Sequence, residues 1–243
     1  MTTKVKKGLI GFFDILGYKS LLDNNEITYL IHIIEKLLKD VKELPNSAIK
    51  AFGLESTNHI ETVKQIKTLI FSDTILISLE CEKESEAYKT ELLIFLLYSS
   101  YLLKYSFKEG LPLRGSIDYG EHVIIQNTFA GKPIINAYEA EKTINLSACS
   151  ILESVNVKIL EVHKNDLYFN YNTPLKKGDK NLNLMNFLIA EGDNDNYELD
   201  KIIDLRQFVL NSFLKHNKTY GEQVYIKALN TEMFLRFCKS KAN

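Results

Sequence analysis

Residues 8–14, Gly-Leu-Ile-Gly-Phe-Phe-Asp, run apolar without alternation until the final aspartate. A strand with one solvated face alternates in polarity, whereas this run needs cover on both faces. It therefore demands a central strand with helices or further strands packed around it. Asp14 ends that strand, held by a backbone expected to be rigid and buried. Asp73 has a similar setting: with Ser72 it separates two apolar strands, 66–71 and 74–79, in hairpin geometry. Each aspartate has a plain structural reading, Asp14 as a helix cap and Asp73 as a turn residue. If the two converge, they form an oxygen-donor pair suited to Mg²⁺ or Mn²⁺ and to positioning a polyphosphate.

The rest of the chain supplies the cover. Gly17 marks a tight passage into a helix over about 19–43, which Pro45 is expected to stop, and 46–62 reads as loop or short elements. A long helix is expected over 85–107, ended by the segment from Gly110 through Pro112. Residues 113–125 read as a bent strand pair, with Gly115 and Gly120 suited to close backbone approach. Gly131, Lys132 and Pro133 open a helix that runs through 134–143. Strands follow at 147–152 and 157–162, then a hairpin around 168–191 that contains Lys176, Lys177 and Gly178. The acidic loop 191–196 precedes two closing helices, about 199–215 and 219–239. This order predicts an α+β fold, with helices packed on a largely antiparallel sheet. Residues 1–192 form the main domain and 193–243 a C-terminal helical extension of it.

Composition narrows the function. Thirty basic against thirty-one acidic residues leave no bulk charge to favour nucleic acid or an anionic membrane surface. The longest apolar stretch, 92–98, falls far short of the roughly 20 residues a spanning helix needs, so no membrane insertion is expected. Cys81, Cys149 and Cys238 are odd in number and far apart, as for ordinary thiols in a reducing compartment. A cytoplasmic location follows as the expectation. The five histidines show no metal-ligand spacing.

Taken in order, FFDILGY (12–18), FSDT (71–74), LRGSIDYGE (113–121) and GKPIINAY (131–138) resemble the catalytic domain of class III nucleotidyl cyclases. The resemblance covers about residues 8–180. It implies a ferredoxin-like cyclase core working as a homodimer, with each subunit giving part of a pocket at the interface. It implies two Mg²⁺ or Mn²⁺ ions per site, held by Asp14, Asp73 and the Ile15 carbonyl. The backbone of Ile15, Leu16, Gly17 and Tyr18 would cradle the triphosphate. Lys132, Asn136 and Lys176 are further candidates around ribose and phosphate, outside the residues that match the family pattern.

The departures from the family pattern fall in the base-reading and transition-state positions. Leu69 stands where purine cyclases place a base-reading Lys or Glu, with Lys67 two residues earlier on the same strand face. Thr128 falls near the second purine-reading position. Ile135 and Glu139 occupy the positions of the transition-state Asn and Arg, and Asn136 is one residue out of register. These features, the GFFDILG opening and the AYEAE segment (137–141) are similar to the stand-alone bacterial pyrimidine cyclases of anti-phage signalling. That branch makes cyclic UMP or cyclic CMP for a separate effector. A purine cyclase, a metal-dependent phosphohydrolase and a degenerate nucleotide-binding or protein-interaction module remain alternatives. Arg114 has a salt-bridge reading, while Asp118 and Glu121 read as sheet organisers.

Overall fold

The opening apolar run forms β1 (Lys6–Ile15), and the two runs around Asp73 form β2 (Lys67–Phe71) and β3 (Thr74–Glu80). In this computed structural model, residues 5–51, 57–125, 128–163, 167–188 and 204–242 are described. The sheet continues through β4 (Leu113–Ile125), β5 (Thr128–Gly131), β6 (Cys149–Ile151), β7 (Tyr168–Pro174) and β8 (Asp179–Met185). Its order is β2-β3-β1-β4-β6-β8-β7, with β5 on the edge of β4. All neighbours are antiparallel except β4 and β6.

Alternate residues of β1 divide the two layers. Leu9, Phe13 and Ile15 enter the main core with Ile75, Ile77, Leu113 and Ile117. The same core takes in α4 (Tyr88–Lys108), a helix buried along almost its whole length because it is apolar nearly all round. Gly115 lets β1 and β4 fit there: a Cβ on it would meet Phe12 O at 2.8 Å and the ring of Phe13. Ile10, Phe12 and Asp14 point to the opposite layer. So do their register partners Asp118, Ser116 and Arg114 on β4. Helix α5 (Lys132–Thr143) covers β4 on that side, and Tyr138 meets Phe12 edge-on at 5.3 Å between ring centres.

Four expectations need correction. The first helix is two: α1 (Tyr18–Asp23) and α2 (Ile27–Ala51). Pro45 lies inside α2 and does not stop it; proline removes one backbone donor, a local loss that a 25-residue helix absorbs. In the stretch read as loop or short elements, the short element is α3 (Thr57–Gln65). Residues 113–125 are one continuous strand, because β1 pairs with β4 from Lys6↔His122 to Ile15↔Leu113 without interruption. Residues 157–163 form 3₁₀ turns in place of a strand. Asn156, left-handed at φ 54°, turns the chain there, and Val157 and Leu160 are buried at the three-residue period of such turns.

The closing helices are α6 (Leu205–Leu214) and α7 (Glu222–Ala242). The acidic loop 191–196, the end of the late hairpin and the start of the first closing helix lie outside the described residues. Between α6 and α7 the chain grips α1. Thr219 N–H donates to Ser20 Oγ at 2.7 Å, and Asn24 Nδ2 donates to Asn217 O at 2.8 Å. Lys218 is buried, with Nζ donating to Gly110 O at 2.6 Å. Among the described residues no helix is long and apolar enough to cross a membrane.

Candidate active site

Register brings the two aspartates together. Asp14 pairs across the ladder with Thr74, and Ile15 N–H donates to Asp73 O at 2.9 Å. The hairpin turn is therefore tied to the end of β1. Its other central residue, Ser72, is left-handed at φ 55°, as a two-residue turn requires. The Asp14 side chain is 25% exposed. Burial raises its pKa first, Arg114 opposes that rise, and the adjacent Asp73 carboxylate adds to it. Two carboxylates kept this close repel each other.

Arg114 sits directly opposite Asp14 on β4 and is buried. Its Nη2 donates to Asp14 Oδ2 at 3.3 Å, its Nε pairs with Glu141, and its Nη1 donates to Ile144 O at 3.1 Å. The salt-bridge reading of Arg114 thus matches the geometry. Glu141 is 1% exposed, and burial raises its pKa to about 7 against the pull of Arg114. Lys176 joins this corner: its N–H donates to Thr143 O at 2.8 Å, and the Asp14 and Glu141 charges act on its ammonium.

The remaining expected residues are distributed as follows. Leu16 N–H is committed to Pro112 O at 2.9 Å. Gly17 is left-handed at φ 80°, and Leu21 N–H makes the first bond of α1 back to its carbonyl. The N–H groups of that first turn have no acceptor within the helix. A Cβ on Gly17 would also stand 3.1 Å from Lys218 Cδ. Lys132 and Asn136 lie toward the far end of α5. Asn136 Nδ2 donates to Asp118 Oδ2 at 2.9 Å, and Lys132, exposed, is about 13 Å along the axis from Glu141. Lys67 is held by Glu80 at 2.9 Å, four residues up the sheet from the aspartate corner, and Leu69 is half-buried opposite Leu76. Within one protomer, Asp14, Asp73, Ile15 and Lys176 meet; Lys67, Lys132 and Asn136 stand apart.

Glu141, and Lys227 on α7, enter this corner without having been singled out from sequence. Glu141 left a trace: Pro133, Ala137 and Glu141 form the buried i, i+4, i+8 row of α5, so a charge stands on a covered stripe. Lys227 left none. The donor set of two carboxylates and a carbonyl fits a hard divalent cation, and the mutual repulsion of the carboxylates is what such an ion relieves. Among the described residues no group of three or more His, Cys, Asp or Glu side chains gathers as a metal site.

No protein-family model matches the sequence, and no curated protein is a significant match to it. Solved structures do match. The adenylyl cyclase CyaB from P. aeruginosa aligns with TM-score 0.51 and 13% identity, over 76% of this chain and 94% of that one. The monomeric guanylyl cyclase domain of the RhoGC fusion protein from the aquatic fungus Blastocladiella emersonii aligns with TM-score 0.51 and 12% identity, over 74% and 100%. The catalytic core of a rhodopsin-guanylyl cyclase with converted specificity, in complex with ATPalphaS, gives 0.51 and 11%, over 76% and 98%. At such identities the likeness is one of architecture: the chain has the α+β fold of nucleotidyl cyclase catalytic domains.

Proposed function

We propose that this chain is a divalent-metal-dependent nucleotidyl cyclase. The observation that carries the reading is the convergence of Asp14 and Asp73 at the end of a central strand, in a fold shared with cyclase domains. Mg²⁺ or Mn²⁺, two ions per site, would lower the pKa of the attacking hydroxyl and neutralise charge on the leaving group. The chain's own residues do the rest. Asp14, Asp73 and the Ile15 carbonyl would hold the ions, while the Gly17–Tyr18 turn and Lys176 would receive phosphate oxygens. The ribose 3′-hydroxyl would release its proton to solvent as its oxygen bonds to the α-phosphorus, the bond from that phosphorus to the oxygen bridging to the β-phosphate would break, and pyrophosphate would leave with a 3′,5′-cyclic monophosphate as product.

The protein acts as a homodimer in this reading. Phe71 is 76% and Ile135 57% exposed, both on the layer that bears Asp14, and Tyr138 is exposed beside them. A second copy covering that side would bring Asn136 and Lys132 to the other subunit's triphosphate, the task for which one protomer leaves them too remote. Leu69 in place of a purine reader favours UTP or CTP. The cyclic nucleotide would serve as a second messenger in antiviral defence, read by a separate effector.

The test is incubation of the pure protein with each of ATP, GTP, CTP and UTP and Mn²⁺, followed by mass analysis. A cyclic pyrimidine monophosphate plus pyrophosphate is expected. Cyclic AMP or cyclic GMP would move the substrate to the purines, and orthophosphate without a cyclic product would make the chain a phosphohydrolase. A second reading, a cyclase-like binding module, draws on Ile135 and Glu139, both exposed where the family pattern has Asn and Arg. It predicts nucleotide binding with no product at all.

A further inference from the structure

The last helix delivers a cation to the aspartate corner. Helix α7 is fastened to the segment that follows α5 by two hydrogen bonds. Asn230 Nδ2 donates to Asn145 O at 2.9 Å, and Ser147 N–H donates to Thr231 Oγ1 at 2.8 Å. That segment is the one whose carbonyls receive Arg114 Nη1, at Ile144, and Lys176 N–H, at Thr143. Lys227 lies three residues before Asn230 and four before Thr231, about one helical turn, and so shares their face of α7. It is half-buried, and among the described residues neither its ammonium nor that of Lys176 has an ion pair or a side-chain hydrogen bond.

Its electrostatic surroundings place it with the other charges. Burial, then Arg114, then Lys176 lower the Lys227 pKa, and Asp14 opposes them. Lys176, exposed on the β7–β8 turn, has its pKa lowered by partial burial and then by Arg114, against the pull of Glu141 and Asp14. Three cations from three separate elements, β4, the β7–β8 turn and α7, thus crowd one corner. Only Arg114 has partners there, in Asp14 and Glu141. The carboxylates there offset the lysine charges only at a distance, with no ion pair to either ammonium among the described residues, and an anion seated between the two lysines would supply that partner.

We propose that Lys227 is a phosphate-binding residue that forms, with Lys176, a two-lysine subsite for the terminal phosphates of a nucleoside triphosphate. An ammonium is a compact, strongly hydrated charge that suits phosphate oxygens without demanding a planar partner. The subsite lies next to the aspartate pair, so the group it holds is the portion that departs as pyrophosphate, where negative charge grows during reaction. The identity of the ligand rests on the cyclase reading; the existence of an anion subsite does not.

The experiment is calorimetric titration of the full chain with inorganic tripolyphosphate in the presence of EDTA, so that no metal or turnover is involved. Lys227→Met should weaken binding about tenfold, and Lys227→Arg should stay within about twofold of the wild type. Lys64→Met, which removes an exposed charge on α3, should leave binding unchanged. Equal affinity in wild type and Lys227→Met overturns the proposal, as does equal weakening by Lys64→Met or no measurable binding by the wild type. Thermal midpoints check folding, and Lys227→Gln replaces Lys227→Met if the latter unfolds. The two readings fail separately. Lys227-dependent tripolyphosphate binding with no cyclic product from any nucleotide sinks the cyclase and keeps the subsite. Cyclisation with unchanged binding by Lys227→Met does the reverse.

Discussion

Asp14 and Asp118 face the same layer, on adjacent strands, four register positions apart, yet the fold treats them in opposite ways. Asp118 is 2% exposed and fully engaged: Asn136 Nδ2 at 2.9 Å and Tyr119 N–H at 2.8 Å donate to it, and Ser154 Oγ does too. Its charge is shared among donors on α5, β4 and the turn after β6. Asp14 has one long contact with an arginine that is split with Glu141, and a second carboxylate beside it. A buried carboxylate surrounded by donors ties elements together. One left facing another carboxylate keeps a local excess of negative charge that a bound cation relieves.

The largest effect that can break this contrast is on turnover. Asp14→Ala or Asp73→Ala should reduce cyclic-nucleotide formation at least about 1000-fold, while the thermal midpoint moves no more than about 4 °C. A collapse of the fold in either variant would make these aspartates framework like Asp118. Next comes Asp118→Ala, which strands three donors and should cost about 2–4 kcal/mol in a urea titration. Loss of under about 0.5 kcal/mol would erase the distinction from the other side.

The smallest effect concerns Glu141, which sharpens the contrast because it shares Arg114 with Asp14. Its pKa is raised from the ordinary 4.5 to about 7 in the fold. The folded state therefore holds a proton that the unfolded chain releases. That contribution to stability is whole below about 4.5 and is lost as pH rises through about 7. The slope is at most about 1.4 kcal/mol per pH unit. Urea midpoints of the wild type should fall across this window relative to Glu141→Gln, and parallel profiles would show that Glu141 is already ionised there.

What the sequence disclosed follows the same physics. The β1 run and the β2–β3 hairpin were legible because apolar runs of this length have few alternatives in a domain of this size, and ladder register then forces Asp14 and Asp73 together. Lys176 was legible through its turn. The single strand 113–125 was not, since Gly115 and Gly120 look locally like a break, and only the full-length partner β1 overrides them. Pro45 misled for the same reason, as a local rule outweighed by a long helix. The side-chain setting of Lys227 depends on where α7 docks, a contact between residues some 80 positions apart in sequence. No local pattern encodes it.

The clasp of residues 216–219 on α1 has a temporal consequence. The partners, Ser20 with Thr219 and Asn24 with Asn217, are separated by more than 190 residues. Bracing of the turn at Gly17 therefore waits on the docking of a segment nearly 200 residues downstream, a long loop to close in folding.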